Sequence, residues 1–187
     1  MSKKVSVGKP KIGGAVHFAP VGSTLPTTAS ETLDAAFSDL GYVSEDGVTN
    51  SNSPTSSEIK AWGGDTVLTP STGKPDNFKL KLLGVLDPNV LKAVYGSDNV
   101  SGALATGLTV RANSAEVPPL AWVIDMILSD EEDTVAKRIV IPNGKITAIG
   151  DVVYKDNEAV GYEATITALP GDEDFGYDTH KEYLLKT

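Results

Sequence analysis

Between Phe78 and Gly96 the chain reads FKLKLLGVLDPNVLKAVYG, and the spacing of its apolar residues changes once along the way. Phe78, Leu80 and Leu82 alternate with Lys79 and Lys81, the period of a half-buried strand. Beyond Leu83 the period becomes helical. Asp87 can accept hydrogen bonds as N-cap, Pro88 suits the first helical position, and Gly96 can close the last turn. Val90, Leu91, Val94 and Tyr95 form one apolar stripe between them. A helix is therefore predicted over 88–95, placed to cover a sheet.

The remaining pattern is that of short strands and turns. Residues 1–11 are polar and lysine-rich and predict a flexible arm. Ala15–Ala19 reads as a strand that Pro20 ends, followed by a loop over Val21–Thr28. Leu33, Phe37 and Leu40, with Gly41 after them, fit either a short helix or irregular chain. Tyr42 and Val43 open a strand running into EDGVT. Thr49, Asn50, Ser51, Asn52, Ser53, Pro54, Thr55, Ser56 and Ser57 include no apolar residue and predict a long mobile loop. Glu58–Trp62 and Thr66–Thr69 flank Gly63-Gly64-Asp65 as a hairpin, and Pro70–Asp76 reads as a second loop.

Beyond the helix, Ser97–Gly107 is a connection of small residues and Leu108–Ala112 a strand. Leu120–Leu128 is the clearest strand in the chain. Leu120, Trp122, Ile124, Met126 and Leu128 share one face; Ala121, Val123, Asp125 and Ile127 share the other. Only Asp125 is polar, so both faces are expected to be largely buried. Asp130–Asp133 reads as a solvated turn. Asn143-Gly144, between apolar runs, predicts a tight hairpin, and Asp156-Asn157 a second turn before the alternating strand Tyr162–Leu169. Pro170-Gly171 ends that strand. The segment from 171 to 187 is acidic, then amphipathic, and fits a final strand or an arm. About eight short strands and one helix indicate a mainly β chain, a sandwich or barrel forming a single domain over 1–187.

Composition narrows the function. Among 187 residues there are 25 acidic and 16 basic ones, a net charge of −9. Only Arg111 and Arg138 are arginines, so tight binding to phosphates is not expected. Cysteine is absent, which removes thiolate chemistry and cysteine metal sites. The early lysines are not followed by an apolar stretch, so no secretory signal is read, and no run reaches the roughly 18 apolar residues of a membrane helix. Of the two histidines, His17 sits in an apolar strand and His180 in the acidic segment, where it is expected to be exposed. Asp172, Asp174, Asp178 and Glu182 alternate like oxygen ligands for calcium, but Gly176 falls one place early for an EF-hand. No nucleophile, phosphate or dinucleotide motif is present. No catalytic, cofactor-binding or metal-binding residue is assigned, and no cofactor is expected. Long polar loops, open strand edges and end segments that order on binding suit assembly.

Four stretches carry a resemblance: AVHFAPVGSTLPT (15–27), LDAAFSDLGYVSEDGVTNSNSPTSSEIKAWGGDTVL (33–68), VLKAVYGSDNVSG (90–102) and KRIVIPNGKITAIGDVVYKDNEAVGYEATITALP (137–170). Together they resemble the major tail proteins, or tail tube proteins, of long non-contractile-tailed bacteriophages, particularly those of Gram-positive hosts. The resemblance implies a β-sandwich or small barrel flanked by the 88–95 helix. It also implies self-association into hexameric rings, stacked around a tape measure protein and bounded by tail tip and tail terminator proteins. Phage DNA then passes along the lumen without specific binding, and an acidic subunit suits such a channel because it repels phosphates. The implied place is the virion tail, assembled in the host cytoplasm, with no membrane insertion. The 49–57 loop, the N-terminal arm and the segment from 171 become candidates for contacts between rings. A tube protein of type VI secretion kind and a sandwich that binds a carbohydrate or receptor are the alternatives. The second would need an aromatic platform, and only Trp62, Tyr154 and Tyr177 are available.

Overall fold

A computed structural model describes residues 5–129 and 133–186. Fifteen strands and one α-helix occur among them. In chain order the strands are β1 (Val7–Pro10), β2 (Val16–Pro20), β3 (Ser38–Asp39), β4 (Val43–Asn52), β5 (Thr55–Ser56), β6 (Ile59–Lys60), β7 (Thr66–Leu68), β8 (Ser71–Gly73) and β9 (Asp76–Leu82). After α1 (Pro88–Tyr95) come β10 (Val100–Ala103), β11 (Gly107–Val110), β12 (Leu120–Ser129), β13 (Thr134–Ile149), β14 (Tyr162–Leu169) and β15 (Lys181–Lys186). The chain is mainly β with a single flanking helix, as the sequence pattern predicts.

Nine strands belong to one hydrogen-bonded system, and β13 is its pivot. Its first half pairs with β12 on one side and β15 on the other, from Val135 to Val140. Its second half pairs with β14, from Asn143 to Ile149. β14 continues to β9 and β4, while β12 is flanked by β2 and β1. One strand thus serves two layers, joined at Pro142. There β13 carries an extra residue relative to β12, between Trp122↔Ile141 and Leu120↔Gly144. A bulge bends a strand, and proline, lacking an N–H, is tolerated at one.

The hairpin expected at Asn143-Gly144 is therefore not a turn; both residues lie inside the longest strand. Glycine is required there by packing. A Cβ on Gly144 would stand 2.6 Å from a ring carbon of Trp122 and 2.9 Å from Ile166. The Trp122 Nε1–H donates to the Gly144 carbonyl at 2.9 Å. Close approach of an aromatic and tight turning both call for glycine, so the dipeptide alone is ambiguous.

Between the two layers lies the main core. Val16, Phe18, Trp122, Ile124, Ile139 and Ile141 meet Phe78, Leu80, Leu82, Tyr162 and Ile166 there. Helix α1 closes one side with Val90, Leu91, Ala93 and Val94. Its caps match the sequence reading: Asp87 accepts from the Asn89 N–H, and Gly96 has φ 89°. The outer face of the first layer bears a second, smaller cluster. Val123 and Val140 are covered there by Phe175, Leu25, Leu33, Phe37 and Tyr183. Residues 30–40 form no helix but a turn at Asp34–Phe37, which delivers Leu33 and Phe37 to this cluster and Leu40 to the main core.

Other expectations change as well. The predicted arm 1–11 holds β1, and its residues 1–4 lie outside the described ones. So does the 130–133 turn, apart from Asp133. The small-residue connection 97–107 contains a 3-10 turn and β10, which pairs with β11. The Asp156-Asn157 turn is present, closed by a bridge between Lys155 and Glu158. The segment from 171 ends in β15.

Candidate assembly surfaces

The first surface grows out of the β4–β9 pair. That ladder runs from Val48↔Leu80 to Asn52↔Asp76. The two strands then leave the sandwich together, pairing as β5 with β8 (Thr55↔Gly73) and β6 with β7 (Ile59↔Leu68). Ala61–Asp65 makes the tip, where Gly63 and Gly64 take φ of 117° and 101°. The predicted hairpin about Gly63-Gly64-Asp65 is thus the end of a much longer arm. Ten residues separate Asn52 from Trp62, a reach of roughly 30 Å at strand rise.

The predicted 49–57 loop accordingly divides. Thr49, Asn50, Ser51 and Asn52 belong to β4, and Thr55 and Ser56 form β5; Ser53, Pro54 and Ser57 lie between strands. The sequence hid this because none of these residues faces a core, so no apolar alternation marks the strand. Side chains stitch the arm locally: Thr55 Oγ1 donates to the Gly73 carbonyl at 3.1 Å, and Ser71 Oγ to the Thr55 carbonyl at 3.3 Å. Every residue from 53 to 75 is exposed except Pro70, which is half-buried. None enters either apolar cluster. Yet Ile59, Trp62, Val67 and Leu68 are apolar, and Trp62 at the tip is fully exposed. Tyr154 and Tyr177 are exposed too.

At the arm's root sits a buried polar cluster. Asp76, 2% exposed, accepts hydrogen bonds from Asn50 Nδ2 (2.9 Å) and Thr179 Oγ1 (2.7 Å) and meets His180 Nδ1 (2.5 Å). His180 also stands edge-on to Phe78, with ring centroids 5.2 Å apart. It is thus half-buried rather than exposed as expected. Burial pushes the Asp76 carboxyl up, but the hydrogen bonds of Thr179, Asn50 and His180, with His180 charge, outweigh it and hold it below 3.8. This clasp ties the segment leading into β15 to the base of the arm.

A second buried pair anchors the opposite layer. Arg138 and Asp125, 1% and 3% exposed, face each other across β12 and β13 and bond twice, at 2.6 and 2.9 Å. The same guanidinium donates to the carbonyls of Thr28 (3.0 Å) and Glu31 (2.7 Å), fastening the 20–40 segment over the second cluster. Lys11 Nζ reaches Asp125 at 3.2 Å. Burial alone would raise the Asp125 carboxyl, but Arg138 and Lys11 prevail and lower it. The signal was present in the sequence as the lone charged residue of β12 and one of two arginines, but only register brings them together.

The residues weighed for chemistry do not gather. Among the described residues no three His, Cys, Asp or Glu side chains are grouped to hold a metal ion. Asp172 accepts from the Phe175 N–H (3.0 Å), and Asp178 pairs with Lys181 at 3.8 Å. His17 lies 4.0 Å from Asp39, and burial lowers its pKa against the opposing pull of Asp39 and Asp125.

The fold thus presents an arm exposed along nearly its whole length beside a sandwich held by two buried polar anchors. No curated protein matches this one. A family model described as phage tail tube protein matches residues 10–178, which take in β2 to β14, α1 and the whole arm. The chain belongs to the phage tail tube protein family, and its role is structural, in the tail of the virion.

Proposed function

We propose that copies of this chain form hexameric rings that stack into the tail tube, and that the arm reaches from one ring to the next. The observation that carries the reading is the arm itself. A hairpin about 30 Å long with exposed Ile59, Trp62, Val67 and Leu68 gains nothing from its own core. Apolar side chains left exposed on a two-stranded ribbon gain most from burial against another molecule. The site thus extends beyond the predicted Thr49–Ser57 stretch to residues 53–75. The tape measure protein fills the lumen during assembly, in the host cytoplasm, and tail tip and terminator proteins bound the stack. DNA later slides through a channel whose subunits each carry −9, which disfavours lasting phosphate contacts.

Negative-stain microscopy of concentrated protein tests this. Rings or tubes with a central hole are expected. A strictly monomeric protein at every concentration, seen by analytical ultracentrifugation, overturns it.

A further inference from the structure

The ladder that carries the arm is interrupted where it leaves the sandwich. Between the pairs Asn52↔Asp76 and Thr55↔Gly73 stand Ser53-Pro54 on one strand and Lys74-Pro75 on the other. Proline has no N–H to donate, so neither strand offers a full set of rungs across this gap. Asn52 Oδ1 is buried there and accepts no hydrogen bond among the described residues. The N–H two residues on, the usual local donor to such an oxygen, is missing because residue 54 is proline. Nor does packing hold the last rungs, since Thr49, Asn50 and Ser51 are exposed. Beside the backbone ladder, the Asp76 cluster is what fixes the root.

Half of that cluster comes from a strap anchored on the other layer. Phe175 is buried against Val123 and Val140, and β15 pairs with β13 from Val135 to Val140. Thr179 and His180 lie between these two anchors and reach Asp76 at the start of β9. The strap is bent on the way. Its Gly171 N–H donates to the Asp178 carbonyl at 3.0 Å, and Tyr177 takes φ 59°, a left-handed conformation that costs free energy for a residue with a side chain. Thr179 and His180 both meet Asp76 Oδ2, whereas Asn50, on the arm's own strand β4, donates to Oδ1. One buried carboxylate thus joins the strap to the arm.

We propose that Thr179 and His180 are positioning residues for the arm: the docked strap holds the arm's root in place, and the paired root holds the strap. Coupling of this kind is reciprocal, because removing either partner leaves the same buried carboxylate short of donors. With the cluster intact the ribbon pivots at the proline gap, 53–54 against 74–75. With it cut, the pivot moves back along β4 to Val48↔Leu80, the nearest rung packed against the core, and the tip sweeps a wider volume. A fixed tip meets a neighbour at a smaller cost in conformational entropy. That consequence for stacking rests on the arm reading above; the coupling of strap and root does not.

Amide hydrogen exchange of the full chain, read by mass spectrometry, tests both directions. Thr179→Val combined with His180→Phe removes the strap's polar groups and keeps an aromatic ring beside Phe78. In this variant the amides of 49–52 and 76–77 should exchange about tenfold faster or more, the effect of losing hydrogen bonds to a charged group. Asn50→Ala, cut from the arm's side, should speed the amides of 177–183 in the same way. Thr179→Ser keeps the hydroxyl and should match the wild type. Amides of α1 and β12 should not change in any of these. A strap variant that leaves 49–52 unmoved, or an Asn50→Ala that leaves 177–183 unmoved, overturns the coupling. So does acceleration spread equally over α1 and β12, which is general loss of stability. Microscopy then separates the two readings. Tubes from the strap variant should be shorter or fewer. Normal tubes from it, where a chain lacking the arm gives none, overturn the positioning role and leave the arm reading intact; normal tubes from both overturn the arm reading itself.

Discussion

The sandwich and the arm are made of the same kind of structure by opposite means. In the sandwich, β9 alternates between buried residues and half-buried or exposed ones, and β12 is buried on both faces from Ala121 to Asp125. Register there is fixed by apolar packing, since a one-residue slip would turn Phe78, Leu80 and Leu82 to solvent. In the arm, β5 to β8 are exposed at every position. Its register is held by backbone ladders, threonine and serine hydroxyls and the glycine tip. An isolated two-stranded ribbon is marginal in water, so this one depends on its rooted base. One part of the chain buries its own apolar side chains; the other leaves Ile59, Trp62, Val67 and Leu68 exposed.

That contrast can be broken at its strongest point first. Trp122→Ala should cost about 3–5 kcal/mol, since it opens a cavity between the layers and strips the Gly144 carbonyl of its donor. Arg138→Ala belongs in the same range, about 3–5 kcal/mol, because Asp125 is left as a buried unpaired charge. Urea denaturation followed by circular dichroism measures both, and a change under about 1 kcal/mol in either would remove the core's claim to autonomy.

Gly144→Ala comes next, at about 1–3 kcal/mol, the range of an overpacked core. Loss of this size at a dipeptide that looks like a surface turn would show that β13 runs through it. No loss would restore the hairpin.

The acid limb follows from Asp125 and Asp76, both held below 3.8 in the fold. A carboxyl depressed by folding contributes stability above its unfolded value and loses it as pH falls through the folded one. Stability should therefore be steady near neutrality and fall at pH below about 4. Asp125→Asn should give a lower plateau and a shallower fall, read from melting temperature against pH.

The smallest effect on stability belongs to the arm. Joining Asn52 to Asp76 through Asn-Gly in place of residues 53–75 should shift unfolding by no more than about 0.5 kcal/mol, because those side chains touch no core. The same deletion should abolish stacking in the microscope while rings persist. Trp62→Ala should leave stability unmoved and shorten or weaken the tubes. Normal tubes from the shortened chain would show the arm to be idle.

The sequence was most legible where a residue's role is local or periodic. Helix α1, its Asp87 and Gly96 caps, β9, β12 and β14 all follow from spacing and capping, as does the mainly β class. The irregular path of Leu33, Phe37 and Leu40 was less so, because three apolar residues at helical spacing serve two different clusters here. β15 was ambiguous for the same reason: its Tyr183, Leu184 and Leu185 gain meaning only beside β13. Over Thr49–Ser57 the sequence predicts a mobile loop, whereas β4 and β5 run through it. A strand that buries nothing leaves no hydrophobic period to read.

By itself, then, the sequence determined the elements that bury apolar faces, the acidic charge and the membership of a tail tube family, since period, caps and motif are properties of neighbouring residues. Tertiary structure alone decided that Gly144 makes room for Trp122, that Arg138 meets Asp125, and that His180 and Thr179 clasp Asp76. Each of these joins residues far apart in the chain, and the free energy that selects them exists only once both partners are desolvated in the same place.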